Sequence, residues 1–528
     1  MTVYVPETFT PDERRILERY VTDVDGPVFA LVNLPEVVKG ALFARYSRSP
    51  KSLRRLLLDE FAADLADGDA PVARGSRRAE ELYEKVFVEY GDDSVAQLGG
   101  VHLACEQASN VLTKVLEWGR LASYLEQSTR YIAYDARIAG RYRYHRDAEI
   151  LSGPLGTRYV GDMDRMFDAY SSMLAAVTEH VRRTVPRTAG DSDFVWRQAT
   201  RAKALDAVRG ALPAAALSNL GIYASGQAYE SLLLRMRSHP LPEARTYADL
   251  MLTELRKVIP SFLRRVDLAE RGGVWSDYLA TTRRETLTLV DEHMGDVAPE
   301  DAPEVRLVDH DPDAEVKVIT AICYPHADLP ESQIAAQVRD MDVETRSAIL
   351  RAYVGERGNR RHRPGRAFER VSYRFDVLGD YGAFRDLQRH RLLTIEWQRL
   401  TPRHGYVVPD LVLEAGQGDA FAETMQRSAD LYESLLVRHP RQASYAVAMA
   451  HRLRYSMQFN LREAMHLIEL RSSSQGHPSY RRVALEMHRQ IAEVAGHRAL
   501  AATMSHVTTH APELERLEAE RRAESRRV

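Results

Sequence analysis

Apolar positions recur along the chain mostly with a helical period. Phe384, Leu387 and Leu392 fall near one side of a helix, which leaves Arg389 and His390 to face something polar or anionic. Val111, Leu112, Val115 and Leu116 make a second apolar stripe, and the run with Gln227, Ala228, Tyr229, Leu232, Leu233, Leu234 and Arg237 predicts a third helix. From Asn460 to Arg471 the pattern is richest: Leu461, Ala464, Met465 and Ile468 share one face, while Arg462, His466 and Glu469 share another. Thr10-Pro11-Asp12-Glu13 spells a helix start, with Thr10 as cap, Pro11 in the first turn and Glu13 reaching back. Val28 to Val32 reads as a short strand ending at Asn33-Leu34-Pro35, followed by a helix from Glu36 that carries Val37, Val38, Leu42 and Phe43. Arg45 to Pro50 reads as a turn before a new helix, and Glu315 to Ile319 as a further strand.

At 528 residues the chain is long for one domain, and its 45% hydrophobic and 28% charged residues are ordinary for a globular protein. A net charge of −3 argues against a surface that coats nucleic acid. Cys105, set among apolar positions read as helix, and Cys323 are far apart and lack partners at ligand spacing. They support neither a zinc site nor a disulfide framework, and the expected metal content is none. No window approaches the apolar length needed to span a bilayer, so the expected compartment is the cytoplasm.

The chain repeats itself. Tyr247 is followed by Leu250, Leu252, Arg256 and Val258, and Tyr480 by Val483, Leu485, Arg489 and Ile491 at the same offsets. Arg120-Leu121-Ala122-Ser123 parallels Arg391-Leu392-Leu393-Thr394, each after a helical run. Arg120 and Arg391 are 271 positions apart but Arg237 and Arg471 are 234 apart, so the first copy carries 37 more residues between its two segments. Such a period is too long for a solenoid and implies duplication of a whole domain. The Gly272-Gly273 pair and the acidic, proline-bearing run from Asp291 to Asp313 mark the join. The expected organisation is an N-terminal helix (1–24), a first repeat (25–265), a linker (266–303), a second repeat (304–510) and a charged helical tail (511–528).

Several segments resemble the signature of the flavin-dependent thymidylate synthases, in which Arg-His-Arg is followed by Ser and then Glu-x-Ser-x-Arg-Tyr. Glu126-Gln127-Ser128-Thr129-Arg130-Tyr131 carries the second part and Arg389-His390-Arg391 the first. Arg209-Gly210-Ala211-Leu212-Pro213 is similar to the family's Arg-x-x-Leu-Pro, and Asn460-x-Arg462 with His466 and Leu470-Arg471 follows its last helix. Gly91 to Gln97 keeps only Gly91 and Ser94 of a flavin-side motif. The resemblance implies an α+β fold, helix-rich overall, built as two fused copies of helices packed on a central, mostly antiparallel sheet. It implies FAD as cofactor and dUMP, NADPH and methylenetetrahydrofolate as reactants, in a homodimer that mimics the family's tetramer, with no membrane or nucleic-acid partner.

Residue by residue, the resemblance assigns nucleotide-side roles to Glu126, Ser128, Arg130 and Arg209, with Arg237 and Arg471 as the arginines beside the base. Flavin-side roles fall on Glu369, Arg389, His390, Arg391, Asn460, Arg462 and His466. The first copy has Trp118-Gly119 where the second has Arg389-His390, and Gly226 and Ala228 where it has Asn460 and Arg462. Thr401 and Arg403 are the second copy's substitutes for Ser128 and Arg130, and Ser444 falls near the place of Arg209. The expectation is that the halves have specialised, nucleotide side in the first and flavin side in the second. A flavoenzyme acting on another pyrimidine or one-carbon donor, or a non-catalytic nucleotide-binding scaffold, stays open.

Overall fold

The computed structural model describes residues 4–34, 42–43, 46, 49–60, 100–510, 514 and 516–525. The Gly91 to Gln97 motif, most of the expected Glu36 helix and half of the Arg45 to Pro50 turn lie outside them. Thr10 accepts from the Glu13 amide while Glu13 reaches back to the Thr10 amide, and the Pro11–Leu17 helix starts where this reciprocal cap places it. Strand β1 (Val28–Leu31) follows and is buried throughout.

The remaining strands are β2 (Gly100–Ser109), β3 (Ala122–Glu126), β4 (Leu217–Ser225), β5 (Val305–His310), β6 (Ser372–Asp380), β7 (Leu393–Trp397) and β8 (Arg452–Asn460). They form two four-stranded antiparallel sheets with the same order, β1-β2-β4-β3 and β5-β6-β8-β7. The fold is therefore α+β, helix-rich and doubled, as the sequence repeat implies. Backbone proximity fixes some residues: a Cβ on Gly221 of β4 would stand 2.2 Å from the Phe43 ring.

Two compact units divide the chain, and each takes a piece from the other repeat. Unit 1 comprises residues 1–172, 211–299 and 422–448; unit 2 comprises 173–210, 300–421 and 449–528. In unit 1, Ala214 and Ala215 donate backbone hydrogen bonds to Val447 and Tyr445 at 2.8 and 3.0 Å. In unit 2, the Ala450 amide donates to the Gly210 carbonyl at 2.8 Å.

Four local expectations are corrected. The residues Glu315 to Ile319 lie in the helix Ala314–Cys323, not a strand, because the buried positions Ala314, Val318, Ile319 and Ile322 follow a helical period over ten residues. Gly272-Gly273 is no break: it ends a π turn, Ala269–Gly273, that runs straight into a helix, Val274–Met294, with no buried residue. Cys105 sits in β2 and is buried, not in a helix. The helix carrying Phe384 stops at Leu387, so Leu392 is exposed while His390 is buried, the reverse of the expected facing. Among the described residues no helix is long and apolar enough to cross a membrane.

Candidate functional site

In unit 2 the end of β6 supplies Asp380, whose carboxylate accepts from the Ala383 amide at 2.8 Å and caps the Tyr381–Leu387 helix. After Leu387 the chain turns into β7, and this turn buries His390 while leaving Arg389 and Arg391 exposed. Leu393 of β7 pairs with Phe459 of β8, which brings the turn beside the start of the Leu461–Arg471 helix. Asn460 caps that helix, its side-chain oxygen accepting from the Glu463 amide at 2.8 Å. Leu461, Ala464, Met465 and Ile468 bury the apolar face, as their spacing requires.

These placements assemble a chain of charged and polar groups. His390 Nδ1 lies 2.7 Å from Glu463 Oε1, and Arg471 Nε donates to His390 Nε2 at 3.0 Å. A guanidinium can only donate, so Nε2 is the acceptor and the proton of the neutral ring sits on Nδ1, directed at Glu463. Burial holds His390 down at about 4, against the raising effect of Glu463. Burial alone would raise the Glu463 carboxyl, but hydrogen bonds with His390 and His466 outweigh it and hold it at about 2. His466 Nδ1 lies 3.4 Å from Glu463 Oε2, and the two imidazoles meet edge to face with centroids 5.1 Å apart.

The chain continues through Asp386. Its carboxylate lies 3.9 Å from Arg471 and 3.4 Å from Arg209. Arg209, at the end of the Asp193–Val208 helix, is 3% exposed, and its Nη2 finds no hydrogen bond among the described residues. Gly382 leaves room for it, since a Cβ there would stand 3.4 Å from Arg209 Nε. Burial pushes the nearby Asp380 carboxyl up, opposed by Arg209 and by a hydrogen bond with Ser479.

His390, Glu463 and His466 have the spacing of a metal-ligand set. With Nε2 already accepting from Arg471, a metal on Nδ1 would require the imidazole to give up its remaining proton. The arrangement suits a proton-passing chain between a fixed cation and a partly exposed imidazole.

The other expected residues fall as follows. Arg462 donates to the Pro364 carbonyl at 2.9 Å and lies 3.5 Å from Glu369. In unit 1 Glu126 is buried and ion-paired with Lys114 at 3.2 Å, and Lys114 also bonds Glu117. Ser128 Oγ accepts from the Arg130 amide at 3.2 Å; Thr401 Oγ accepts from the Arg403 amide at 3.4 Å in the same local turn. Arg237 ends its helix paired with Asp249. Where the second repeat has Glu463 the first has Tyr229, whose hydroxyl bonds the carbonyls of Val101 and Ile222 at 3.0 and 3.1 Å. Arg209, grouped with Glu126, Ser128 and Arg130 by the resemblance, belongs to unit 2, where it meets Asp386. The sequence reading missed Glu463 and Asp386, although Glu463-x-x-His466 offers two ligating groups one helical turn apart.

A sequence model of the family described as "Thymidylate synthase complementing protein" matches residues 41–261 and again 306–496. A UPF0159 protein of Chlamydia pneumoniae is 37% identical over 492 residues, covering 92% of this chain and 93% of the relative. Another from Thermoplasma acidophilum is 33% identical over 509 residues, covering 91% and 97%. Among solved structures, a UMP/dUMP methylase of Streptomyces cacaoi bound with 5-Br dUMP aligns at 19% identity and a TM-score of 0.30, over 38% of this chain and 94% of that one.

Proposed function

The chain belongs to the thymidylate synthase complementing protein family, matched once in each half, and from that membership we propose that it is a thymidylate synthase-like methyltransferase. The proposed reaction is reductive methylation of dUMP with methylenetetrahydrofolate and NADPH, dependent on FAD, in a cytoplasmic homodimer that forms a pseudo-tetramer. The observation that carries the reading is the Arg471–His390–Glu463 chain. Arg471 is oriented at Nε by a neutral imidazole and counterbalanced by Asp386, so its charge is preorganised to stabilise negative charge on a pyrimidine carbonyl. His390, Glu463 and His466 hold a proton path beside it.

The residues fit a flavin with phosphates. Arg389 and Arg391 are exposed on either side of His390, and Arg462 is only loosely paired with Glu369. Arg209, proposed for the nucleotide phosphate, has a buried Nη2 with no hydrogen bond among the described residues. Arg389, Arg391, Arg462, His466 and Asn460 would hold the cofactor, and FAD when bound supplies the hydride and one-carbon chemistry that side chains lack. Ser128 and Arg130, half-buried in one turn, are proposed to hold the nucleotide, with Glu126 and Arg237.

The absorbance spectrum of the purified protein tests this. A yellow protein that bleaches with NADPH and forms thymidylate is expected; a colourless protein that takes up no FAD overturns the reading. Arg462→Ala is expected to empty the flavin site while Arg130→Ala spares it, and equal flavin loss in both would count against the division of roles. One observation favours a variant of the reading. Glu126, one of the proposed nucleotide residues, is already ion-paired with buried Lys114, which would change its contact with the base and favours a different pyrimidine. A yellow protein that makes no thymidylate would select that variant.

A further inference from the structure

Unit 1 contains a cavity of about 340 Å³ that none of the residues assigned above lines. Its floor is apolar, built from Pro6, Pro50, Ile138 and Leu217 beside Tyr142 and Tyr144. The size suits a ligand with a single ring, at the lower end of small-molecule sites.

The charge around this floor is unbalanced. Arg55 is spent on Glu7 and Glu13 at 2.6 and 2.5 Å, and Lys51 on Asp59 at 2.7 Å. Glu106 is buried against Arg54 at 3.3 Å. The segment from Arg141 to Arg146 then adds three guanidinium groups. Arg141 is exposed, with no ion pair or side-chain hydrogen bond among the described residues. Arg143 donates to the Ala133 carbonyl at 2.9 Å and stacks 4.3 Å over Tyr134, neither of which is an anion. Arg146 donates to the Tyr142 carbonyl at 3.1 Å, with Asp164 standing off at 3.9 Å. Glu7 and Glu13 together exceed Arg55 by one charge and Asp164 offsets Arg146, so the three added guanidinium groups leave about one positive charge beside an apolar floor, a state that favours an anion.

The backbone gives a second, independent sign. Gln107, where the β2 register shifts, lines the cavity with φ 57, a left-handed conformation unusual for a residue with a side chain. It is held there by Asn219, whose Oδ1 accepts from the Gln107 amide at 2.9 Å, and by a hydrogen bond from Gln107 to the Val5 carbonyl at 3.2 Å. Ala139 with φ 49 shapes the turn that brings Arg141 opposite Ile138. Strain is therefore concentrated on the wall and rim of one cavity.

We infer that this cavity binds a small organic phosphate bearing a flat apolar ring, at a site separate from the residues proposed for FAD and dUMP. Arg141 and Arg143, which both line the cavity, take the phosphate head. The ring lies over Pro6, Ile138 and Leu217, beside Tyr142 and Tyr144.

Calorimetric titration of the full-length protein with phenyl phosphate, benzoate and inorganic phosphate tests the assignment. Phenyl phosphate is expected to bind saturably, and the other two at least about tenfold more weakly. Arg141→Ala, at an exposed side chain, is expected to weaken phenyl phosphate about tenfold or more without moving the melting temperature. Arg143→Lys, which keeps charge but loses the fork, is expected to weaken it less. Arg130→Ala is expected to leave it unchanged, which separates this site from the proposed nucleotide residues. No saturable binding of phenyl phosphate, or binding that survives Arg141→Ala and disappears with Arg130→Ala, overturns the inference. Benzoate binding as tightly as phenyl phosphate overturns the phosphate head.

Discussion

A neutral imidazole clamped between a guanidinium and a carboxylate responds to acid in a fixed direction. His390 titrates at about 4 in the fold and near its ordinary ~6.5 when unfolded. The unfolded chain therefore binds the extra proton first, and the His390 contribution is full above pH ~6.5 and lost as the pH falls toward 4. Glu463, held at about 2, adds a loss that sets in as the pH falls through the ordinary carboxylate range and is complete below about 2. The unfolding free energy from urea titration is expected to drop between pH 7 and pH 4.5 by on the order of 2 kcal/mol from His390, and Glu463→Gln to lower the His390 pKa further. Nitrogen-15 shifts showing His390 protonated at pH 6 would contradict both statements. His390 and Arg471 were legible because they stand in the family's order along the chain. Glu463 was not, because it meets His390 across 73 residues of sequence, and a buried carboxylate announces its partner only when two segments come together.

At the scale of elements, the Leu461–Arg471 helix is the best determined. Its cap, its apolar stripe and its cationic end all follow from local sequence. Glu469 is the exception: assigned to the polar face, it is buried in a bidentate pair with Arg357 at 2.5 and 2.6 Å. Arg357→Ala leaves that carboxylate stranded and is expected to cost about 3–5 kcal/mol in chemical denaturation, while Asn460→Ala, which removes the cap, costs about 1 kcal/mol. A result below about 1 kcal/mol for Arg357→Ala would show the pair to be solvated. The misread elements share a cause. Five residues alternating Val with charge imitate a strand at Glu315 to Ile319, and only a longer window shows the helical burial; two adjacent glycines suggest a break, yet the π turn carries them directly into a helix. Packing likewise decides Gly221, where Gly221→Val would collide with Phe43 and is expected to cost about 1–3 kcal/mol.

At the scale of the molecule, the repeated sheet order was legible from paired offsets, but the composition of the units was not. Periodicity reports which residues are buried, never by whom. Residues 422–448 complete unit 1, and 173–210 complete unit 2. In unit 1 the buried Glu243 takes hydrogen bonds from Ser109 Oγ at 2.6 Å and from the Tyr445 hydroxyl at 2.7 Å. In unit 2 Asp206 meets Arg516 at 3.1 Å, and Arg209 reaches Asp386. A fragment of residues 1–303 lacks Tyr445 and is expected to show no cooperative thermal transition, whereas the intact chain melts cooperatively; a sharply melting fragment would refute the exchange. Duplication ordinarily leaves a spare that can be discarded. Here each copy has lent the other a strip of itself, so losing either would ruin the survivor, and the fused gene has no short route back to its single-repeat ancestor.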